Sequence, residues 1–166
     1  KSGKGAVMNR TRLMATAFLF NGDDVLMLKR AKDRKIAPGW AGVGGHLEPE
    51  EMNDPQLACI REIYEETGIS QDEILDIKLR YILVRLKGTE KDAVVYIGST
   101  NKRETIETAE GELFWINKDK ILSLEMPWTA RLVLEHYLYE GEQSEEQYVG
   151  VLTKNTKVCL KCIGRG

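Results

Sequence analysis

A glycine pair, a cluster of glutamates and one arginine lie close enough in the sequence to form one chemical site. The glycines are Gly44-Gly45, and the charged residues that follow are Glu48, Glu50, Glu51, Arg61, Glu62, Glu65 and Glu66. A helical residue turns by about 100°, so Glu62, Glu65 and Glu66 would share one helix face. Aligned carboxylates repel one another. Magnesium would relieve that repulsion, because it takes oxygen ligands and is usually shared with substrate phosphates.

The local sequence predicts the helix that would carry these glutamates. Asp54 is a favoured residue just before a helix and Pro55 is favoured at its first position, while Gly68 is a natural stop. We therefore expect a helix over residues 55–67. Its apolar stripe, which we expect to pack against a sheet, consists of Leu57, Ile60, Ile63 and Tyr64. Cys59 lies near the edge of that stripe and is expected to be a packing residue.

The segment from Gly45 to Ile69 resembles the Nudix box. That pattern is Gly, five residues, Glu, seven residues, Arg-Glu-apolar, any residue, Glu-Glu, any residue, Gly-apolar. Gly45 and Glu51 fit the first half, and residues 61–69 fit the second half without exception. A solvated acidic helix face would explain the glutamates, but neither the glycine pair nor the Arg-Glu frame. The departure is that nine residues, not seven, separate Glu51 from Arg61; we expect the extra two, Met52-Asn53, to lie in a loop.

The resemblance implies a role for each box residue. Glu62 is expected to be the general base or to orient the attacking water. The expected ligands of Mg²⁺, or of Mn²⁺ in its place, are the carboxylates of Glu51, Glu65 and Glu66 and the carbonyl of Gly44. Arg61 is expected to hold loop carboxylates in place, with Glu48 or Glu51 as its partner.

Further site residues are expected outside the helix. A loop beyond the central strands often supplies another carboxylate, here Glu110 or Glu112, and we favour Glu110 because Glu110-Gly111 is typical of a loop. Lys29, Arg30, Arg34 and Lys35 are the cations available for phosphate. Lys29 and Arg30 point to opposite faces of their strand, and Arg30 is the one predicted to bind substrate, together with Gly45. Trp128 would either stack on a nucleobase or cap the core.

The resemblance implies an α/β fold, a Nudix-type α/β/α sandwich with a mixed central sheet. Alternating and apolar segments predict strands at 13–20, 25–30, 77–87, 93–99, 113–117, 148–153 and 157–163, and a second helix is predicted at 129–139. Asn21-Gly22 predicts a hairpin between the first two strands. We expect a flexible leader at 1–7 and one domain at 8–166, which closes with a C-terminal β-hairpin turning at 154–156.

Composition excludes several classes of function. The chain has 166 residues, 42% hydrophobic and 30% charged, with a net charge of −2. That charge gives no strong signal for nucleic acid or for an anionic membrane surface. We expect a cytoplasmic protein without a membrane span, either a monomer or a homodimer. Cys159 and Cys162 form a lone Cys-x-x-Cys without further zinc ligands, and the histidines His46 and His136 are expected to be structural.

The leading prediction is a metal-dependent pyrophosphohydrolase whose substrate is a nucleotide. A nucleoside triphosphate, normal or oxidised, is the preferred substrate; dinucleoside polyphosphates and capped RNA ends stay open. A non-catalytic nucleotide sensor would be expected to have a damaged box and an attached DNA-binding domain. An isopentenyl diphosphate isomerase would need a catalytic cysteine in a suitable loop, and Cys59 on the box helix is poorly placed for that.

Overall fold

A twisted mixed sheet separates two helical layers. The computed structural model describes residues 13–31, 39–86, 92–152 and 158–163. Its strands are β1 (Leu13–Asn21), β2 (Asp24–Arg30), β3 (Trp40–Ala41), β4 (Val43–His46), β5 (Ile74–Arg85), β6 (Asp92–Thr100), β7 (Gly111–Asn117), β8 (Gln147–Leu152) and β9 (Val158–Ile163); its α-helices are α1 (Pro55–Thr67), α2 (Lys118–Ile121) and α3 (Trp128–Tyr139). The leader at 1–7, Arg34, Lys35, the turn at 154–156 and the side chains of Cys159 and Cys162 lie outside the described residues.

The strand order across the sheet is β3-β2-β1-β6-β5-β8-β9, with β4 paired to β1 and β7 paired to β2. The pairs β1–β6 and β5–β8 are parallel and the others are antiparallel, so the predicted mixed sheet is confirmed. The hairpin predicted at Asn21-Gly22 is also confirmed, with Gly22 at a φ of 58° in its turn. The β8–β9 hairpin extends the same sheet beyond β5.

Each face of the sheet has its own apolar core. One core packs β1 residues such as Ala15, Ala17 and Leu19 against Ala58, Cys59 and Ile63 of α1. The other packs Phe18 and Met27 against Val133 and Leu134 of α3. These two layers on opposite faces of the sheet are the predicted α/β/α sandwich.

Helix α1 has the predicted bounds, but its predicted buried stripe is wrong. Of the four apolar residues, Ile63 is buried, whereas Leu57 and Tyr64 are 52% and 58% exposed. The buried face is made by Ala58, Cys59, Ile63, Glu66 and Thr67, so Cys59 is a packing residue as expected. Small side chains let α1 approach the sheet closely, and Glu66 faces the sheet with them, whereas Glu65 is exposed.

Two strands around the glycine pair were missed in the sequence. Gly44 and Gly45 do not form a turn: they lie inside β4, opposite Thr16 and Ala15 of β1. Glycine is depleted in strands, so its presence argued against one. The structure gives the reason for glycine here, since a Cβ on Gly44 would lie 2.8 Å from the Cα of Thr16. The close approach of β4 to β1 therefore excludes a side chain.

Candidate functional site

Helix α1 places its carboxylates against β4. The α1 start follows the turn at Met52-Asn53, so the two extra residues lie in the loop as predicted. Asp54 precedes the helix, but its side chain makes no capping hydrogen bond. At the other end, Gly68 adopts a left-handed conformation with a φ of 78°, and its N–H donates to the carbonyl of Tyr64. The helix is thus fixed in length, which fixes the register of its glutamates against the sheet.

Arg61 is the centre of an ionic network that ties three elements together. Its Nε and Nη2 donate to the two carboxylate oxygens of Glu51 at 3.0 and 2.8 Å. Its Nη1 donates to Glu62 at 2.9 Å and to Glu65 at 3.2 Å. Nη2 also donates to the carbonyl of His46 in β4, at 3.1 Å. The Arg61 guanidinium is half-buried, and each of its contacts fixes the position of a box residue. The network is therefore far more than a surface ion pair.

Glu51 is committed to this network. Besides both bonds from Arg61, it accepts the N–H of Glu48 at 2.9 Å. Arg61 holds the pKa of Glu51 below its ordinary value, while burial opposes that effect. Of the two partners expected for Arg61, the structure has Glu51. Both carboxylate oxygens of Glu51 accept hydrogen bonds from Arg61 in this arrangement. The geometry therefore favours a role for Glu51 in positioning Arg61 over the metal-ligand role that the sequence also allowed.

Glu66 lies in the deepest part of the site. Its side chain accepts the N–H of Gly44 at 3.0 Å, across the α1–β4 contact. Burial raises the pKa of Glu66 to about 7, the Gly44 N–H opposes this, and the charges of Glu62 and Glu110 add to the rise. Arg30 lowers it, so Glu110 and Arg30 both lie within electrostatic range of Glu66.

Glu62 is packed under the second glycine. A Cβ at Gly45 would lie 2.6 Å from the Cδ of Glu62, so only glycine leaves room for this carboxylate. Burial raises the pKa of Glu62, and its hydrogen bond with Arg61 opposes the rise. Glu65 differs from its neighbours because 54% of its side chain is exposed. Two of the three box glutamates are thus held rigidly, while the third is open to solvent.

The strand register separates the candidates that flank the box. Arg30 pairs with Gly111 and, by strand alternation, lies on the α1 side of β2 with Leu26. Lys29 pairs with Glu112 on the opposite face and lies 5.8 Å from the ring centre of Trp40. The Glu110 carbonyl accepts the N–H of Ala31, which keeps the loop beside the end of β2. This placement favours Arg30 over Lys29 and Glu110 over Glu112.

The remaining predicted residues lie outside this cluster. Trp128 is the first residue of α3, in the layer opposite the box helix, and is 40% exposed. His136 accepts or donates a 2.7 Å hydrogen bond with the hydroxyl of Tyr81 and pairs with Glu140, a structural role as expected. Sequence reasoning missed the carbonyl of His46 as an acceptor for Arg61, because a backbone atom has no residue-type signal.

The donor set fits a hard divalent cation by its chemistry. Glu62, Glu65 and Glu66 supply only oxygen donors, which are the ligands magnesium prefers. Within the described ranges, no three ligand-type side chains are already grouped around a common ion position. Arg61 Nη1 lies between Glu62 and Glu65 in this arrangement. Binding a cation would therefore require the exposed Glu65 to turn from the arginine toward Glu66.

Known structures share this fold. A mutator MutT protein from Bacillus halodurans is 22% identical, with a TM-score of 0.66, over 90% of this chain and 96% of that one. A MutT protein from Methanosarcina mazei Go1 is 24% identical, with a TM-score of 0.62, over 83% and 100%. An Ap4A hydrolase from C. elegans is 16% identical, with a TM-score of 0.59, over 75% and 95%. At these identities the likeness shows the fold.

The sequence itself carries the family assignment. Residues 10–137 match the NUDIX domain, which is more than half of the chain, and the match contains the complete box helix. None of the helices in the described part is long and apolar enough to cross a membrane. Together with the glycine strand, the Arg61 network and the buried glutamates, the match shows that the chain belongs to the Nudix family, hydrolases of nucleoside diphosphates linked to another group.

Proposed function

We propose that the protein is a metal-dependent pyrophosphohydrolase that converts a nucleoside triphosphate, normal or oxidised, to the monophosphate and pyrophosphate. The observation that carries this proposal is the set of three box glutamates on one helix face, two of them buried against the glycines of β4. Such a cluster has the charge and the oxygen donors that a cation shared with a polyphosphate needs.

The roles follow from position. Glu65 and Glu66, with the Gly44 carbonyl, would hold Mg²⁺ or Mn²⁺, which when bound neutralises phosphate charge and lowers the pKa of water. Glu62 is the proposed base, because burial raises the pKa of its carboxyl group and so makes the carboxylate a stronger base than an exposed glutamate. Arg61, held by Glu51, fixes the Glu62 carboxylate in direction. Glu110 is the alternative base.

Two further residues would handle the substrate. Arg30 lies on the α1 side of β2, within electrostatic range of Glu66, where a guanidinium can bind a phosphate oxygen. Trp128 lies outside the carboxylate cluster, at the start of α3, and is 40% exposed, so its ring would stack on a base that extends beyond the cluster to that layer. We propose that the protein acts in the cytoplasm, where nucleotides are abundant, and that it is a monomer or a homodimer.

A nucleotide panel tests the proposal. The purified protein with magnesium is given normal and oxidised nucleoside triphosphates, a dinucleoside polyphosphate and a capped RNA, and both pyrophosphate and phosphate release are measured. Pyrophosphate release from a triphosphate is the expected result, and repeating the reaction in isotopically labelled water shows which phosphorus is attacked. Turnover of the dinucleoside polyphosphate or capped RNA alone would select the alternative substrate. No hydrolysis of any compound would favour a nucleotide-sensing module.

Glu66→Gln is expected to weaken magnesium binding by about 10- to 100-fold, because the substitution removes a buried carboxylate ligand. The raised pKa of Glu66 adds a pH dependence: below about pH 7 the proton competes with the metal, so the affinity of the parent protein should fall as pH is lowered from 8 to 6. Calorimetric titration with magnesium or manganese at both pH values measures this. Equal affinity in a folded Glu66→Gln variant would remove Glu66 from the metal site.

A further inference from the structure

A cavity lies on the sheet face away from the box helix. Its volume is about 430 Å³, and Phe20 and Ile97, from the core beneath α3, form part of its wall. Phe20 is four residues beyond Thr16, the partner of Gly44, which places it about 13 Å along β1, and its side chain belongs to the core on the α3 side of the sheet, away from α1. The cavity is therefore separate from the carboxylate cluster.

A β-bulge in β5 directs a buried arginine toward this cavity. Leu79 pairs with Tyr96 and Tyr81 pairs with Val95, so Arg80 is the extra residue between them. A bulge bends the strand and re-aims a side chain. As a result, the Arg80 guanidinium lies 5.6 Å from the ring centre of Tyr137 in α3 and lines the cavity with it.

Arg80 is only 6% exposed, and within the described residues it has no carboxylate partner. Its Nε donates to the carbonyl of Glu146 at 2.9 Å and its Nη2 to the carbonyl of Gly141 at 2.8 Å. Both acceptors are neutral, so these two hydrogen bonds use two of the five N–H donors of Arg80 without balancing its charge. A buried charge without a counter-charge is costly, which makes the inner end of the cavity a favourable place for an anion.

The mouth of the cavity has the opposite character. Its exposed carboxylates are Asp76, Glu142 and Glu145. Glu145 pairs with Lys78 at 3.1 Å, and Glu142 lies 3.5 Å from Lys118. Between the two ends, the rings of Phe20 and Tyr137, with centres 5.3 Å apart, provide an aromatic wall. Three carboxylates and two lysines leave a net excess of one negative charge at the mouth, with Asp76 as the third carboxylate; the inner end is positive and one side is apolar.

We propose that this cavity binds a small zwitterion with an aromatic body, of the amino-acid type, with its carboxylate toward Arg80 and its ammonium group toward the acidic mouth. The volume accommodates such a molecule. Its carboxylate would meet Arg80, its ammonium group the carboxylates at the mouth, and its ring the aromatic wall. This site is independent of the proposed nucleotide hydrolysis, because it shares no residue with the box.

Three probes separate the contributions of the two charges. L-phenylalanine carries both charges, phenylpropanoate lacks the ammonium group and phenethylamine lacks the carboxylate. Titration calorimetry should detect L-phenylalanine, with each analogue bound at least about tenfold more weakly, since hydrogen bonds to charged groups are among the stronger ones. Failure of L-phenylalanine to bind, or equal affinity for phenylpropanoate, would overturn the proposal.

Substitution locates the binding. Ser99 lines the cavity between Phe20 and Asp76, so Ser99→Leu should fill it and abolish binding of L-phenylalanine, with nucleotide turnover kept within a few-fold. Ser123→Leu makes the same change at an exposed turn and is the matched control, with parental affinity expected. Undiminished binding in a folded Ser99→Leu protein would place the ligand elsewhere and refute the assignment, whatever the outcome of the nucleotide panel.

Discussion

Glu62→Gln is expected to lower kcat by about 10²- to 10⁴-fold, the usual cost of removing a general base, with a modest change in KM. Glutamine keeps the shape of the side chain and can still accept the hydrogen bond from Arg61 Nη1. It cannot take a proton from water. Steady-state kinetics on the best nucleotide, with thermal unfolding as the control for folding, measures the effect.

Glu110→Gln is the matched comparison for that experiment. Glu110 is exposed on the loop before β7 and lies within electrostatic range of Glu66, so it is the other carboxylate able to accept a proton. If kcat of Glu62→Gln stays within a few-fold of the parent while Glu110→Gln is inactive, the base belongs to the loop. A large loss in Glu62→Gln alone assigns it to the helix.

Replacement of the two box glycines by alanine is expected to have different effects at the two positions. In Gly45→Ala the new methyl group would meet the carboxylate of Glu62, a side chain that can move, so the protein should fold with Glu62 displaced. Misplacement of a catalytic group by about 1 Å can cost about 10²-fold in rate, and we expect a fall in kcat of that size. In Gly44→Ala the methyl group would meet the backbone of β1, which cannot move without loss of the β1–β4 pairing.

Thermal unfolding and kinetics together distinguish the glycine variants. Gly44→Ala should show a clearly lower Tm, whereas Gly45→Ala should keep a Tm near that of the parent and lose turnover. Parental kcat in Gly45→Ala would mean that Glu62 does not need its present position. A parental Tm in Gly44→Ala would mean that β4 can shift on β1 without cost.

The sequence predicted the box because its chemistry lies in side chains at helical spacing. The bounds of α1 and the Gly68 stop follow from residue types within one short segment, whereas the sequence left the partner of Arg61 open between Glu48 and Glu51, and the structure has Glu51. Burial was harder to predict. The apolar residues Leu57 and Tyr64 indicated one face, but the helix packs through its small residues and glutamates. A buried helix face normally packs against apolar side chains, but the glutamates of α1 face the glycines of β4 instead.

The pairing and register of strands that are distant in the chain could not be predicted from the sequence either. Strand β4 is defined by its partner β1, and its own residues have weak strand propensity. The bulge at Arg80 depends on the register between β5 and β6, which no local pattern in β5 specifies. By contrast, strand alternation predicted that at most one of Lys29 and Arg30 faces the site, and the register puts the two on opposite faces.

The bond between Glu51 and Arg61 has a consequence for how such boxes are recognised. Because the two side chains meet in space, the length of chain between them is free to vary, and two added residues in a loop cost little entropy. A search pattern with a fixed gap between this glutamate and arginine would pass over the present chain. A pattern that fixes the glycine pair and the helix but lets the intervening loop vary would find it, and would find relatives with other loop lengths.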